Sequence, residues 1–193
     1  MSSKFKIINK KNIHSGFFKL NEVTLKYQKY DGNWSNEIKR ELFGGAQVSC
    51  VLPYDPKNKK IILIQQFRPG TIFSKNKNYL DEIVAGIIDP GETPEDTAKR
   101  ECLEETGCEI SNLSSIQGYF PAPGSSESFY HLFVGKVIAP EKEIIKGLET
   151  ENEDILVKSY SYEEVRKKIE KKEILNGVTL VALQWFFLNI ERA

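Results

Sequence analysis

The sequence is poor in cysteine and histidine, and it has no excess of charge. Its three cysteines, Cys50, Cys102 and Cys108, form no CxxC pair, and their odd number fits a reducing compartment better than a disulfide framework. The two histidines, His14 and His131, stand in no ligand constellation. Lysine and arginine number 27 and aspartate and glutamate 27, a balance that argues against a general nucleic-acid or membrane-surface binder. No apolar run reaches spanning length, and VTLVALQWFFLNI near the C-terminus reads as a core helix. The N-terminus is basic and polar without an apolar stretch, so no secretory signal is expected. Internal repeats and low-complexity tracts are missing too. These absences predict a soluble cytoplasmic protein without nucleic-acid or membrane partners.

What is present is a globular composition. The 193 residues are 40% hydrophobic, enough for a packed core, and the length suits one domain with an appendage. Residues 1–44 read as a small N-terminal antiparallel β domain, with VTLKYQKYDG and WSNEIKRELF as strands around an Asp31-Gly32-Asn33 turn. Gly44-Gly45 predict a flexible joint, and residues 45–193 form the second domain. There AQVSCVLPYD and KKIILIQQFR are apolar strand candidates, the second dense enough to be central. YLDEIVAG leads on to a helix, and LSSIQGYF and SFYHLFVGKVI give two more strands around a Pro/Gly/Ser loop. Residues 139–153 read as a long acidic loop of the kind used as a lid, followed by the strand DILVKSYS, a helix capped by Ser161 and Glu164, and a helix from Val178. Strands interleaved with helices in this order imply an α+β or α/β sandwich, with helices covering a mixed sheet.

One stretch, GIIDPGETPEDTAKRECLEETGC from Gly86 to Cys108, organises the rest. Asp89-Pro90-Gly91 form a turn, Thr93 is placed to N-cap, Pro94 fits the first helical position, Asp96 sits where a capping-box acid belongs, and Gly107 suits a left-handed C-cap. Within that helix Glu101, Glu104 and Glu105 crowd towards one side. Like charges at this spacing destabilise an isolated helix, so they are best tolerated around a hard divalent cation such as Mg²⁺ or Mn²⁺. A lone acidic run would read as a solvated face, but here Glu92, Arg100 and two glycines flank it.

Gly86, Glu92, Arg100, Glu101, Glu104, Glu105 and Gly107 match every fixed position of the Nudix box, and the chain resembles Nudix hydrolases on those residues. Cys102 and Cys108 stand where the box usually has bulky aliphatics. The EIVAGIIDPGE entry to the box, Pro123 beyond it, and GLETENEDILV extend the resemblance to bacterial ADP-ribose pyrophosphatases over nearly the whole chain; the GDP-mannose hydrolases share most of these matches.

The resemblance implies the Nudix fold, an α/β/α sandwich, and two or three Mg²⁺ ions, with Mn²⁺ an alternative. Metal ligands implied are the Ala85 carbonyl, Glu101, Glu105 and Glu153, and the catalytic candidates are Glu151 as general base and Glu104 beside the ligands. Glu92 and Arg100 are implied to pair and brace the loop on the helix. For Glu151 the other reading is ordinary loop acidity. Substrate contacts are implied at Phe17, Arg40, Arg68 and Glu127. Phe17 and Phe18 suit an apolar staple equally well, whereas Arg68 ends an apolar strand, where an unpaired charge would be costly. Two departures stand out. Gly44-Gly45 lie where such enzymes often carry a basic residue, and Ser128 lies where they carry an acid, with Glu127 one position early. The expected reaction is hydrolysis of ADP-ribose to AMP and ribose 5-phosphate by a homodimer built through the N-terminal domain. Alternatives are GDP-mannose or another nucleoside-diphosphate sugar as substrate, or a module that binds such a sugar without cleaving it.

Overall fold

A computed structural model describes residues 4–75 and 78–191, the Glu151 side chain lying outside the described residues. The chain divides into two compact units, one of Met1–Ala46 with Phe120–Phe129, the other of Gln47–Tyr119 with Tyr130–Ala193.

The first unit holds a three-stranded antiparallel sheet of β1 (Phe5–Ser15), β2 (Lys19–Tyr27) and β3 (Ile38–Phe43), in that order. The turn between β2 and β3 is built at Asp31-Gly32-Asn33: Gly32 takes φ 85°, and the Asn33 amide donates to Asp31 Oδ1 at 2.9 Å. Strand β1 has no clear sequence signature, because polar residues interrupt any alternation in FKIINKKNIHS, and all eleven of its positions are exposed. Gly45 is not a loose joint. A Cβ there would lie 2.0 Å from the Ser128 nitrogen and 2.2 Å from the Glu127 carbonyl carbon, so only glycine lets these two backbones approach.

The second unit is built on an eight-stranded sheet. Its strands are β4 (Gln47–Asp55), β5 (Lys60–Phe67), β6 (Tyr79–Glu82), β7 (Val84–Ile87), β8 (Asn112–Tyr119), β9 (Phe129–Lys136), β10 (Ile144–Lys146) and β11 (Ile155–Ser161). The order is β10-β11-β5-β4-β9-β8, with β6 paired to β5 and β7 to β4. Alternation sorts the side chains onto two faces. Cys50, Leu52, Tyr54, Ile61, Leu63, Leu132 and Val134 join one buried cluster with residues of α2 (Tyr162–Glu170) and α3 (Gly177–Asn189). Val51, Ile62, Ile64, Phe133, Ile155 and Val157 join the other with Ala98 and Cys102 of α1 (Pro94–Thr106). The result is a helix–sheet–helix sandwich of the α+β class, as expected. Phe186, fully buried, stacks edge-on to Tyr54 and Tyr162 at 5.1 Å each, and truncating it to alanine would cost about 3–5 kcal/mol.

The helix ends follow local chemistry. Thr93 caps α1 by accepting from the Asp96 amide, Pro94 opens it, and Gly107 closes it at φ 71°. Ser161 and Glu164 cap α2 reciprocally. The acidic segment 139–153 is more ordered than a free loop: Ile144–Lys146 adds an edge strand to β11, and Glu149–Glu151 form a single 3-10 turn. Among the described residues no helix is long and apolar enough to cross a membrane.

Candidate active site

The site grows from α1 and the turn before it. Gly91 takes φ 94°, the Glu92 amide closes the turn on the Asp89 carbonyl at 3.0 Å, and the Ser49 hydroxyl of β4 donates to the Pro94 carbonyl at 2.6 Å. These contacts set Glu92 beside the helix. Arg100 then gathers four hydrogen bonds to three acids. Its Nε and Nη2 donate to Glu92 at 2.8 and 3.0 Å, and its Nη1 donates to Glu101 and Glu104 at 2.8 and 2.9 Å. Thr97 adds a hydroxyl donor to Glu92 at 2.6 Å. The Arg100 bonds, with Thr97 second, hold the Glu92 carboxyl down at about 2.

One turn further on the environment reverses. Glu105 is 3% exposed, and its Oε2 has no hydrogen-bond partner among the described residues. Burial, then the fields of Glu101 and Glu153, push its carboxyl well above the ordinary range; the Ala85 amide and Arg68 act weakly the other way. Burial raises Glu101 as well, against the pull of Arg100. Gly86 explains how close these groups stand: a Cβ there would lie 2.0 Å from Glu101 Oε1, so the box glycine vacates the space that the carboxylate fills. From the far end of the chain, Glu153 is held by the Leu148 amide, which donates to its Oε2 at 3.3 Å, over a turn that needs Gly147 at φ 105°.

Ala85, Gly86, Glu101, Glu105 and Glu153 therefore meet at one place, with Arg68 near enough for its charge to be felt. Among the described residues no three His, Cys, Asp or Glu side chains already stand at closed ligand spacing, since Arg100 holds Glu101 and Glu104 to itself. A buried carboxylate oxygen with no donor nevertheless fits a hard cation, which is the partner such an oxygen accepts in place of hydrogen bonds. Cys102 and Cys108 pack beneath the helix at 0% and 6% exposure, and burial raises the Cys102 thiol to about 12, which leaves it a packing group.

The remaining candidates lie elsewhere in the chain. Phe17 is 89% exposed and rests edge-on against Phe18 at 4.9 Å; the exposed Arg40 donates to the Lys39 carbonyl; Glu127 pairs with Lys10 at 3.1 Å. All three belong to the first unit. Glu151 sits in the 3-10 turn, its side chain outside the described residues. Arg68 is not an unpaired strand-end charge, because Glu82, 3% exposed, accepts from its Nε at 2.9 Å and from its Nη2 at 2.6 Å. Sequence reasoning passed over Glu82 and over Asn176, whose side-chain amide donates to Glu82 at 3.0 Å; the only local hint was an acid four residues before the box glycine.

The NUDIX domain family matches residues 45–178. An ADP-ribose pyrophosphatase of Haemophilus influenzae is 35% identical over 186 residues, covering 95% of this chain and 86% of the relative. The ADP-ribose pyrophosphatase of Escherichia coli K12 is 33% identical over 183 residues, covering 95% and 88%, and a GDP-mannose pyrophosphatase of Shigella flexneri is 28% identical over 190 residues, covering 98% of each chain. The crystal structure of an ADP compounds hydrolase superposes with a TM-score of 0.74 at 19% identity, covering 98% of this chain and 96% of that one.

Proposed function

The chain belongs to the Nudix family and is a Nudix hydrolase; from that premise we propose that it cleaves the diphosphate bridge of ADP-ribose into AMP and ribose 5-phosphate. The observation that carries the reading is the orphaned Glu105 Oε2, buried between the fields of Glu101 and Glu153. Glu101, Glu105, Glu153 and the Ala85 carbonyl would hold two or three Mg²⁺ ions, or Mn²⁺, which when bound neutralise the diphosphate and acidify water.

The chain's own groups do the rest. Glu151 takes a proton from water as the water oxygen bonds to one phosphorus. The bond from that phosphorus to the bridging oxygen breaks, and the bridging oxygen leaves with the other phosphate. Glu104 stands beside the ligands, held by Arg100. Phe17, Arg40, Arg68 and Glu127 are the substrate contacts of this reading, an aromatic and a guanidinium being suited to an adenine face and to phosphate.

The proposal includes a homodimer joined through residues 1–44 and a cytoplasmic location. Supporting the first, Phe5, Ile7, Ile8 and Ile13 of β1 are 42–58% exposed, an apolar load that a second copy would cover. Supporting the second, all three cysteines are free and buried. ADP-ribose is favoured over GDP-mannose because the ADP-ribose pyrophosphatases share 33–35% of residues and the GDP-mannose pyrophosphatase 28%. The test is a panel of nucleoside-diphosphate compounds with Mg²⁺, scored by chromatography of the phosphomonoester products. ADP-ribose should give AMP and ribose 5-phosphate with the highest kcat/KM; faster turnover of GDP-mannose, or no turnover of any compound, overturns the reading.

A further inference from the structure

The pairing of Arg68 has more construction behind it than a salt bridge between two strands needs. Glu82 ends β6 with its carboxylate 3% exposed, and every bond it accepts comes from two side chains. Its Oε1 takes the Arg68 Nε at 3.1 Å and the Asn176 Nδ2 at 3.0 Å, and its Oε2 takes the Arg68 Nε at 2.9 Å and Nη2 at 2.6 Å. Asn176 is fixed in turn. It is the N-cap of α3, and its Oδ1 accepts from the Thr179 amide at 3.0 Å and the Thr179 hydroxyl at 2.9 Å. Thr179, fully buried, closes the chain of bonds by accepting from the Ile83 amide at 2.9 Å. The carboxylate that grips Arg68 is thus mounted on a helix whose Ala182, Leu183 and Phe186 are fully buried in the core.

Arg68 itself is different. Its side chain is 41% exposed, and Nη1 has no protein acceptor among the described residues. Burial works against its charge, yet the Glu82 bonds and the fields of Glu82, Glu105 and Glu153 more than restore it, so the guanidinium feels the charge of the acidic site. A buried ion pair is a poor device for stability alone, since apolar residues of equal volume commonly serve as well or better. It is a good device for orientation: a planar fork fixed along one edge offers its other donors with little entropy left to lose.

We propose that Glu82 and Asn176 are positioning residues, a carboxylate–amide clamp that presents Arg68 to the diphosphate of the substrate. The clamp rests on the reading of the chain as a diphosphate hydrolase, so it is tested by two readouts. One is steady-state kinetics with ADP-ribose and Mg²⁺. The other is calorimetric binding of inorganic pyrophosphate, which needs no turnover.

Glu82→Gln keeps the shape and removes the charge that aligns Arg68. It should raise KM and weaken pyrophosphate binding by about tenfold, with kcat within about twofold. Asn176→Ser retains an oxygen cap for α3 and removes only the amide donor to Glu82; it should shift both values about threefold with Tm held within about 2 °C. In an Arg68→Lys background, Glu82→Gln should add less than about twofold, because the geometry it protects is already gone. Equal effects in both backgrounds, or losses of kcat and Tm with pyrophosphate affinity unmoved, would make the network purely structural and overturn the clamp. If the wild type hydrolyses no nucleoside-diphosphate compound, the functional reading fails. The clamp then stands or falls on whether Glu82→Gln and Asn176→Ser weaken pyrophosphate.

Discussion

Arg100 and Glu105 lie five residues apart on α1, and their surroundings are opposites. Around Arg100 the charges are paired: Glu92, Glu101 and Glu104 accept from it, and Thr97 donates to Glu92. At Glu105 a carboxylate oxygen is buried with none. A satisfied network braces a fold, whereas a charged group left unsatisfied costs stability and persists only if something pairs with it part of the time. The two halves of one acidic face thus separate into a paired group and an unpaired one, although all three glutamates look equivalent in the sequence.

The strongest way to break that comparison is Glu105→Gln. Removing the charge should cut kcat by about a hundredfold or more with Mg²⁺ present, while the metal-free protein melts no lower than the wild type, because a buried unpaired charge has gone. The rise in Tm on adding Mg²⁺ should disappear. Calorimetric melts with and without Mg²⁺ check this; a variant less stable without metal would mean that Glu105 braces the fold as Arg100 does.

A smaller effect is expected from Gly86→Ala. The added Cβ would overlap Glu101 Oε1, 2.0 Å away, and must push the carboxylate off its position between Arg100 and Glu105. The Mg²⁺ concentration for half-maximal rate should rise about tenfold, with Tm lowered by only a few degrees. Unchanged metal dependence would show that Glu101 serves Arg100 alone.

The last effect falls on the brace, and on stability rather than metal dependence. Arg100→Gln should lower Tm by on the order of 5 °C through three carboxylates left to repel. Its pH signature sharpens the contrast. Glu92 titrates at about 2 in the folded chain against 4.5 ordinarily, so its pairing stabilises fully above 4.5 and is lost as pH falls from there towards 2. Melts across that window should fall steeply for the wild type and more gently for Arg100→Gln. Parallel slopes would remove the Glu92–Arg100 pair from the stability account.

How much of this was legible varies residue by residue. The span of α1 was readable to the residue, because Thr93, Pro94 and Gly107 settle its ends with bonds and dihedrals inside a few positions. The same holds for the Ser161–Glu164 cap. The two-faced alternation of β4 and β5 was readable as strands, though not which face each side chain joins. Strand β1 escaped because polar positions break its pattern; it is held by pairing to β2, a partner that no local propensity announces. Gly45 invited the reading of a hinge, since a glycine's sequence neighbours cannot reveal a backbone more than eighty residues later pressed against it.

The sequence by itself determined the family, the helix that bears the acids and the turn that starts it, since these depend on residue identities at fixed short offsets. Only the tertiary structure decided which carboxylate is buried and which is paired. Glu105 owes its environment to β7 and to Glu153 nearly fifty residues away, and Arg68 owes its partner to β6 and the cap of a helix that begins beyond residue 170. Burial and desolvation are properties of what packs around a group, and that is set by long-range contacts that local spacing does not encode.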